Sequence, residues 1–164
     1  VSDERAIETA WHIHGHLNDL TSKIDAKASF ALALESGALG GVVALSGSGH
    51  RLGQLVGWPA QVLFWAGVTV LGLGALAAVL VVLPRGGDGR DRTAPRGWIY
   101  YGDLRHWTPE ELTVRLSNGD ALPALSRQLV ALSRIAWIKD RGVRHSLSLA
   151  CLGGVLIALA DVVG

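Results

Sequence analysis

Residues 62–83, VLFWAGVTVLGLGALAAVLVVL, decide the fold: 22 residues without a single charge. At about 1.5 Å of rise per residue, a helix of this length crosses a hydrocarbon core of roughly 30 Å with some tilt. Trp58 and Trp65 stand at one end, where indole rings favour the membrane interface, and Pro84-Arg85 closes the other. Working outward, residues 146–164 form a second span in which only Asp161 is charged. Residues 28–45 form a third, which includes Glu35. The competing reading of that third stretch is a buried helix of a soluble protein. Its place just before residues 62–83, across a Gly/Ser-rich loop at 46–59, favours a membrane hairpin instead.

Composition excludes several classes. The chain has 164 residues, 49% apolar and 18% charged, with one cysteine and a net charge of +1. One cysteine rules out a disulfide scaffold, the apolar fraction rules out disorder, and the lack of a basic excess argues against nucleic acid as a partner. The basic residues are unevenly placed. Eleven lie in 84–145, three (Arg5, Lys23, Lys27) before residue 28, one (Arg51) in the hairpin loop, and none after Ser146. Positive-inside bias predicts a multi-pass membrane protein with the N-terminus and the 84–145 segment cytoplasmic and the C-terminus outside. The first 27 residues are acidic, contain histidines and lack an apolar core, so they do not read as a signal peptide. Val1, in a chain without methionine, is expected to mark an alternative start codon.

Both stretches leading into spans from the cytoplasmic side have helical periodicity. Ile7, Ala10, Trp11, Leu17, Leu20 and Ile24 recur at spacings of three and four, as do Leu122, Leu125, Leu129, Leu132 and Ala136. Pro123 is tolerated at a helix start. The expected fold is all-α: three transmembrane helices, two of them extended into a parallel cytoplasmic stalk with a small helical insert. The expected divisions are a stalk helix at 1–27, a hairpin at 28–83, a cytoplasmic segment at 84–145 and a third span at 146–164. Aligning Ala28 with Ser146 at the inner interface pairs Ile7 with Leu125, Trp11 with Leu129 and Leu17 with Ile135. The same alignment sets Glu35 beside Gly153-Gly154, places Asp25 within reach of Arg144 as a register lock, and implies a stalk on the order of 35 Å long. Lys27 reads as snorkelling at the interface.

Between the stalks, residues 85–96 (RGGDGRDRTAPR) read as a flexible linker, and their acidic groups are too few for a calcium loop. Residues 98–107 form an aromatic turn. Thr108-Pro109-Glu110-Glu111 is a helix start, with a capping hydroxyl, proline in the first turn and acids at the positive helix end. That helix is expected to stop near Asn118-Gly119.

Three stretches together resemble a known family: Asp25-Ala26-Lys27-Ala28-Ser29 at the entry to the first span, Tyr101-Gly102-Asp103-Leu104 before the short acidic helix, and residues 128–139 (QLVALSRIAWIK) before the last span. The pattern, over roughly residues 15–160, resembles the transmembrane effectors of the Pycsar antiphage system. The resemblance implies a non-enzymatic effector activated by cyclic CMP or cyclic UMP, which impairs the bacterial inner membrane and arrests growth of the infected cell. It also implies a separate uridylate or cytidylate cyclase, since no such domain is fused here. This chain departs from the pattern at His12, His14 and His16 and at Asp140.

A cyclic-nucleotide site needs a cation for phosphate, an aromatic face for the base, and polar groups reading its edge. Arg134 and Lys139 are candidates for phosphate, Tyr100, Tyr101 and Trp107 for stacking, and Asp103 with Gln128 for polar contacts. The ordinary alternative is a solvated stalk surface beside a packed aromatic turn. His12 and His16 share a helix face with Glu8 a turn earlier, but a zinc site needs a further ligand and closed geometry, so no metal and no cofactor are expected.

Glu35 is the residue hardest to explain as lipid-facing, because a carboxyl inside a span is costly and no Lys or Arg lies within any span. It reads either as a protonated acid hydrogen-bonded between helices at rest, or as the lining of a water path in an active oligomer. Small-residue stripes (Gly37 with Gly41, Gly74 with Ala78, Ala150 with Gly154 and Ala158) favour close packing and a homo-oligomer in the lipid bilayer. Cys151 reads as a small apolar residue. No catalytic constellation is present. Two rival functions are a constitutive scaffold membrane protein and a small ion or proton channel component using Glu35.

Overall fold

The computed structural model describes residues 2–47, 57–83 and 97–164. The hairpin-loop residues 48–56 and the linker at 84–96 lie outside the described residues. The described chain is all-α: α1 (Ser2–Leu45), α2 (Trp58–Val82), α3 (Tyr101–Leu104), α4 (Pro109–Asn118) and α5 (Ala121–Val163). Three of these, α1, α2 and α5, are long and apolar enough to cross a membrane, as expected of an all-α integral membrane protein. α1 and α5 each run unbroken from a polar half into an apolar half, at 44 and 43 residues.

Ile7, Ala10, His14, Leu17, Thr21, Ile24, Ala28, Ala31 and Glu35 of α1 are buried or half-buried. Their spacing alternates three and four, the 3.5-residue repeat of a coiled-coil seam. Sequence periodicity put Trp11 and Leu20 on this stripe, but both are exposed. The seam runs through His14 and Thr21, whose polarity hides them from an apolar pattern. In α2 the repeat is unbroken over Ala60, Phe64, Gly67, Leu71, Gly74, Ala78 and Val81, all buried. α2 starts at Trp58, earlier than its apolar run suggests. Gly57, with φ 103°, makes the turn into it, and Pro59 sits in its first turn.

The chain divides into two compact units. One gathers the described residues of 1–22 and 84–137, with Ala10, Trp98, Ala124, Leu125 and Ala136 buried. In it α4 carries a full capping box: the Thr108 hydroxyl accepts from Glu111 N–H, and the Glu111 carboxylate accepts from Thr108 N–H. α4 stops at Asn118, and Gly119 is extended at φ −88°, so the stop does not use glycine's left-handed freedom. Asp120 then accepts from Leu122 N–H at 3.1 Å at the start of α5.

The other unit holds residues 23–83 and 138–164, the three apolar helices. α1 and α5 run parallel, since Asp25 bonds Lys139 and, further along both, Glu35 bonds Ser146. α2 runs antiparallel to α5: Val81 meets Gly142, Gly74 meets Ser146 and Ala150, and Gly67 meets Gly153 and Ile157. Backbones nearly touch here. A Cβ on Gly153 would lie 2.8 Å from the Gly67 carbonyl oxygen, so glycine is what permits this approach. The buried stripe of α5 is Val143, Ser146, Gly153 and Ala160; Gly154 and Ala158, assigned to it from sequence, face outward.

The register differs from the expected one. The alignment of span ends set Glu35 beside Gly153, whereas Glu35 meets Ser146, one heptad away. A seam with a 3.5-residue repeat looks the same after a slip of one heptad, so apolar pattern alone does not fix register. Polar pairs do, and the sequence reading gave Asp25 another partner, Arg144, and Glu35 none.

Candidate functional site

Two groups of residues are built for more than packing. The first is in the apolar unit. Glu35 is 2% exposed, and its Oε1 accepts a 2.8 Å hydrogen bond from the Ser146 hydroxyl. Its Oε2 is buried without a partner among the described residues. Gly74 makes room beside it: a Cβ there would lie 3.3 Å from Oε1 and 3.1 Å from the Ser146 carbonyl oxygen. The carboxyl thus joins α1 to α5 over a gap in α2. Its donor was missed in the sequence; the available signal was a hydroxyl at the first position of the third span.

About three turns before Glu35, the Lys139 ammonium reaches both oxygens of Asp25, at 2.6 and 2.8 Å. Lys139 is 13% exposed and Asp25 40%, so the pair is sheltered on one side only. The register lock expected between Asp25 and Arg144 is corrected: Arg144 pairs with Asp140 on its own helix at 2.6 Å, and Lys139 takes Asp25. Asp140 follows Lys139 directly and lies one turn before Arg144, so a local i,i+4 partner outcompetes a distant one. Lys27 is exposed.

The second group is the aromatic turn of the other unit. The Trp107 indole donates to the Gly97 carbonyl at 3.1 Å, closing a loop of ten residues. Inside it, Trp107 N–H bonds the Leu104 carbonyl and His106 N–H the Asp103 carbonyl. The Asp103 carboxylate lies against Gly97, where a Cβ would stand 2.6 Å from Oδ2. The Tyr100 ring covers Gly102. Trp98 is buried, and its indole N–H has no acceptor among the described residues. Sequence reading passed over Trp98, although it opens the aromatic turn. The Tyr101 side chain lies outside the described residues.

The turn thus brings Tyr100, Asp103 and Trp107 into one short segment. Gln128 and Arg134 are on α5, about 120° apart around the helix. Gln128 is 7% exposed on the buried seam, while Arg134 is exposed. These two do not share a face. His12 and His16 are exposed, and His14 Nδ1 accepts a 3.2 Å bond from the Asn18 side-chain amide.

Fold and site together define a class: an all-α membrane protein with three spanning helices, a buried carboxyl between two of them, and a separate helical unit closed by an aromatic turn. Comparison with known families makes this particular. The chain belongs to the Pycsar effector protein domain family, which it matches over residues 9–164. No curated protein and no solved structure matches it.

Proposed function

We propose that this protein is the membrane-damaging effector of a Pycsar antiphage system, sits in the bacterial inner membrane with its N-terminus in the cytoplasm and its C-terminus outside, and is switched on by cyclic CMP or cyclic UMP. The cyclase is a separate protein, and the effector is not an enzyme. The observation that carries the reading is the family match over residues 9–164, which takes in both the helical unit with the aromatic turn and all three apolar helices.

The nucleotide would bind at the aromatic turn. Tyr100, Tyr101 and Trp107 offer ring faces for a pyrimidine, and Asp103 and Gln128 offer polar contacts. The Trp98 indole N–H, buried without an acceptor among the described residues, is a donor available to a ligand. Arg134 is the cation for phosphate, since the Lys139 ammonium is engaged by Asp25. The charge bias of the loops supports the orientation: the eleven basic residues of 84–145 stand on the side assigned to the cytoplasm.

Titration calorimetry on the detergent-solubilised full chain with each cyclic nucleotide tests this. Saturable binding of at least one is expected, weakened about tenfold or more by Arg134→Ala and by Trp107→Ala. Heat at the level of buffer for both nucleotides overturns it. A second reading, a small ion or proton channel, is favoured by Oε2 of Glu35, which has no partner among the described residues. It expects a Glu35-dependent conductance without any nucleotide, abolished by Glu35→Gln, in planar bilayers.

A further inference from the structure

In the apolar unit, α5 has an outer sector turned away from its buried Val143 and Ser146. Successive residues step about 100° around a helix, so Arg141, Arg144 and His145 fall in that sector within about 100° of one another. All three are exposed. Further along the helix the same sector carries Leu152, Val155 and Leu159, exposed at 50%, 55% and 46%. No Lys, Arg, Asp or Glu stands between Arg144 and Asp161. The sector therefore changes from cationic to apolar just beyond His145. On a helix that crosses a membrane, the apolar part lies against acyl chains, and the change marks the level of the lipid phosphates.

The donors at that level suit a phosphate. A guanidinium carries five N–H donors in a rigid fork that fits phosphate oxygens. Arg144 reaches Asp140 through one nitrogen, at 2.6 Å, and its side chain is still 78% exposed. Arg141 Nε donates to His145 Nε2 at 3.4 Å, which places the imidazole proton on Nδ1 as a further donor. The charge balance selects the kind of lipid. The Asp25–Lys139 pair brings residues 23–27 of α1 close in depth to residues 139–145 of α5. Together these two stretches hold five Lys or Arg and two carboxylates. Both carboxylates are engaged, Asp25 by Lys139 and Asp140 by Arg144. A choline or ethanolamine headgroup brings a cation that meets no unengaged carboxylate in these stretches, whereas a net-anionic headgroup brings none.

We infer that α5 holds an anionic phospholipid on this outer face, its phosphate bound by Arg141 and Arg144 with His145 beside them, and an acyl chain laid along Leu152 and Val155. The inference rests on the chain being a membrane protein and not on the nucleotide. Its test uses no nucleotide, so the two fail separately.

Cys151 reports on the site. It is the only cysteine, it is exposed, and it lies about two turns beyond Arg144 on nearly the same side of α5. The full chain, labelled there with bimane, is reconstituted in phosphatidylcholine vesicles that contain mid-chain doxyl-labelled phosphatidylglycerol or phosphatidylcholine. The labelled phosphatidylglycerol should quench at a mole fraction about fivefold lower, the pull of roughly one basic residue on an anionic lipid surface. Arg141→Gln with Arg144→Gln should bring the two lipids level. Arg115→Gln with Arg127→Gln, an equal loss of charge in the other unit, should leave the preference intact. Raising salt from about 0.1 to about 1 M should shrink the preference in the native chain, an arm that needs no variant to fold. Equal quenching by the two lipids in the native chain overturns the inference. So does a preference that high salt leaves unchanged, that the Arg141/Arg144 variant keeps, or that the Arg115/Arg127 variant also loses.

Discussion

Ser146 and Glu35 lie on different helices, 111 residues apart in the chain, and are joined inside the apolar unit by a 2.8 Å hydrogen bond. Both are buried, at 0% and 2% exposure, so no water competes for either group. Interhelical bonds in membranes are modest in worth, because the separated helices also find partners. Ser146→Ala should therefore lower the unfolding free energy in mixed detergent–SDS micelles by about 1 kcal/mol. Ser146→Thr, which keeps the hydroxyl, should recover part of it. An unchanged midpoint for the alanine variant means that the bond does not hold α1 to α5.

The Asp25–Lys139 pair should behave as a partly exposed one. Asp25 is 40% exposed, so solvent screens much of the attraction, and a coupling of about 0.5–1 kcal/mol is expected. A double-mutant cycle with Asp25→Asn and Lys139→Gln measures it, and the coupling should shrink on raising salt. The same cycle on Asp25 and Arg144 should give no coupling, because Arg144 is committed to Asp140.

The capping box predicts a local effect. Thr108→Ala removes the acceptor for Glu111 N–H and should cost about 1 kcal/mol, felt within α4. Amide hydrogen exchange should speed up about fivefold across Pro109–Asn118 and stay unchanged in α2. Faster exchange in α2 as well means that α4 is not an independent element.

The architecture was legible because its signals are local. Twenty-two uncharged residues make a span, and Thr108-Pro109-Glu110-Glu111 makes a helix start wherever it occurs. Register was not legible, since Glu35 opposite Gly153 and Glu35 opposite Ser146 satisfy the same 3.5-residue seam. The choice rests on which carboxyl finds which donor in three dimensions. Trp11 and Leu20 were misplaced for a related reason: the seam of α1 passes through His14 and Thr21, which an apolar template skips. Of the candidate ligand residues, Tyr100, Asp103 and Trp107 fall in one short segment because they are close in the chain. The sequence could not show that Gln128 turns to the buried seam while Arg134 faces out, or that Trp98 buries an indole N–H without an acceptor among the described residues.

Gly153 and Gly154 are adjacent and chemically identical, yet their substitution should differ in outcome. A Cβ on Gly153 would stand 2.8 Å from the Gly67 carbonyl oxygen and from Leu71 N, both backbone atoms of α2 that cannot rotate away. The helices must separate to admit it, and overpacking of this kind costs about 1–3 kcal/mol. On Gly154 a Cβ would meet nothing within 4 Å, and alanine is the better helix former by up to about 1 kcal/mol. Gly153→Ala should therefore lower the SDS midpoint, and Gly154→Ala should leave it level or raise it slightly. Equal destabilisation by both would mean that general glycine flexibility, and not the Gly67–Gly153 contact, sets the approach of α2 to α5.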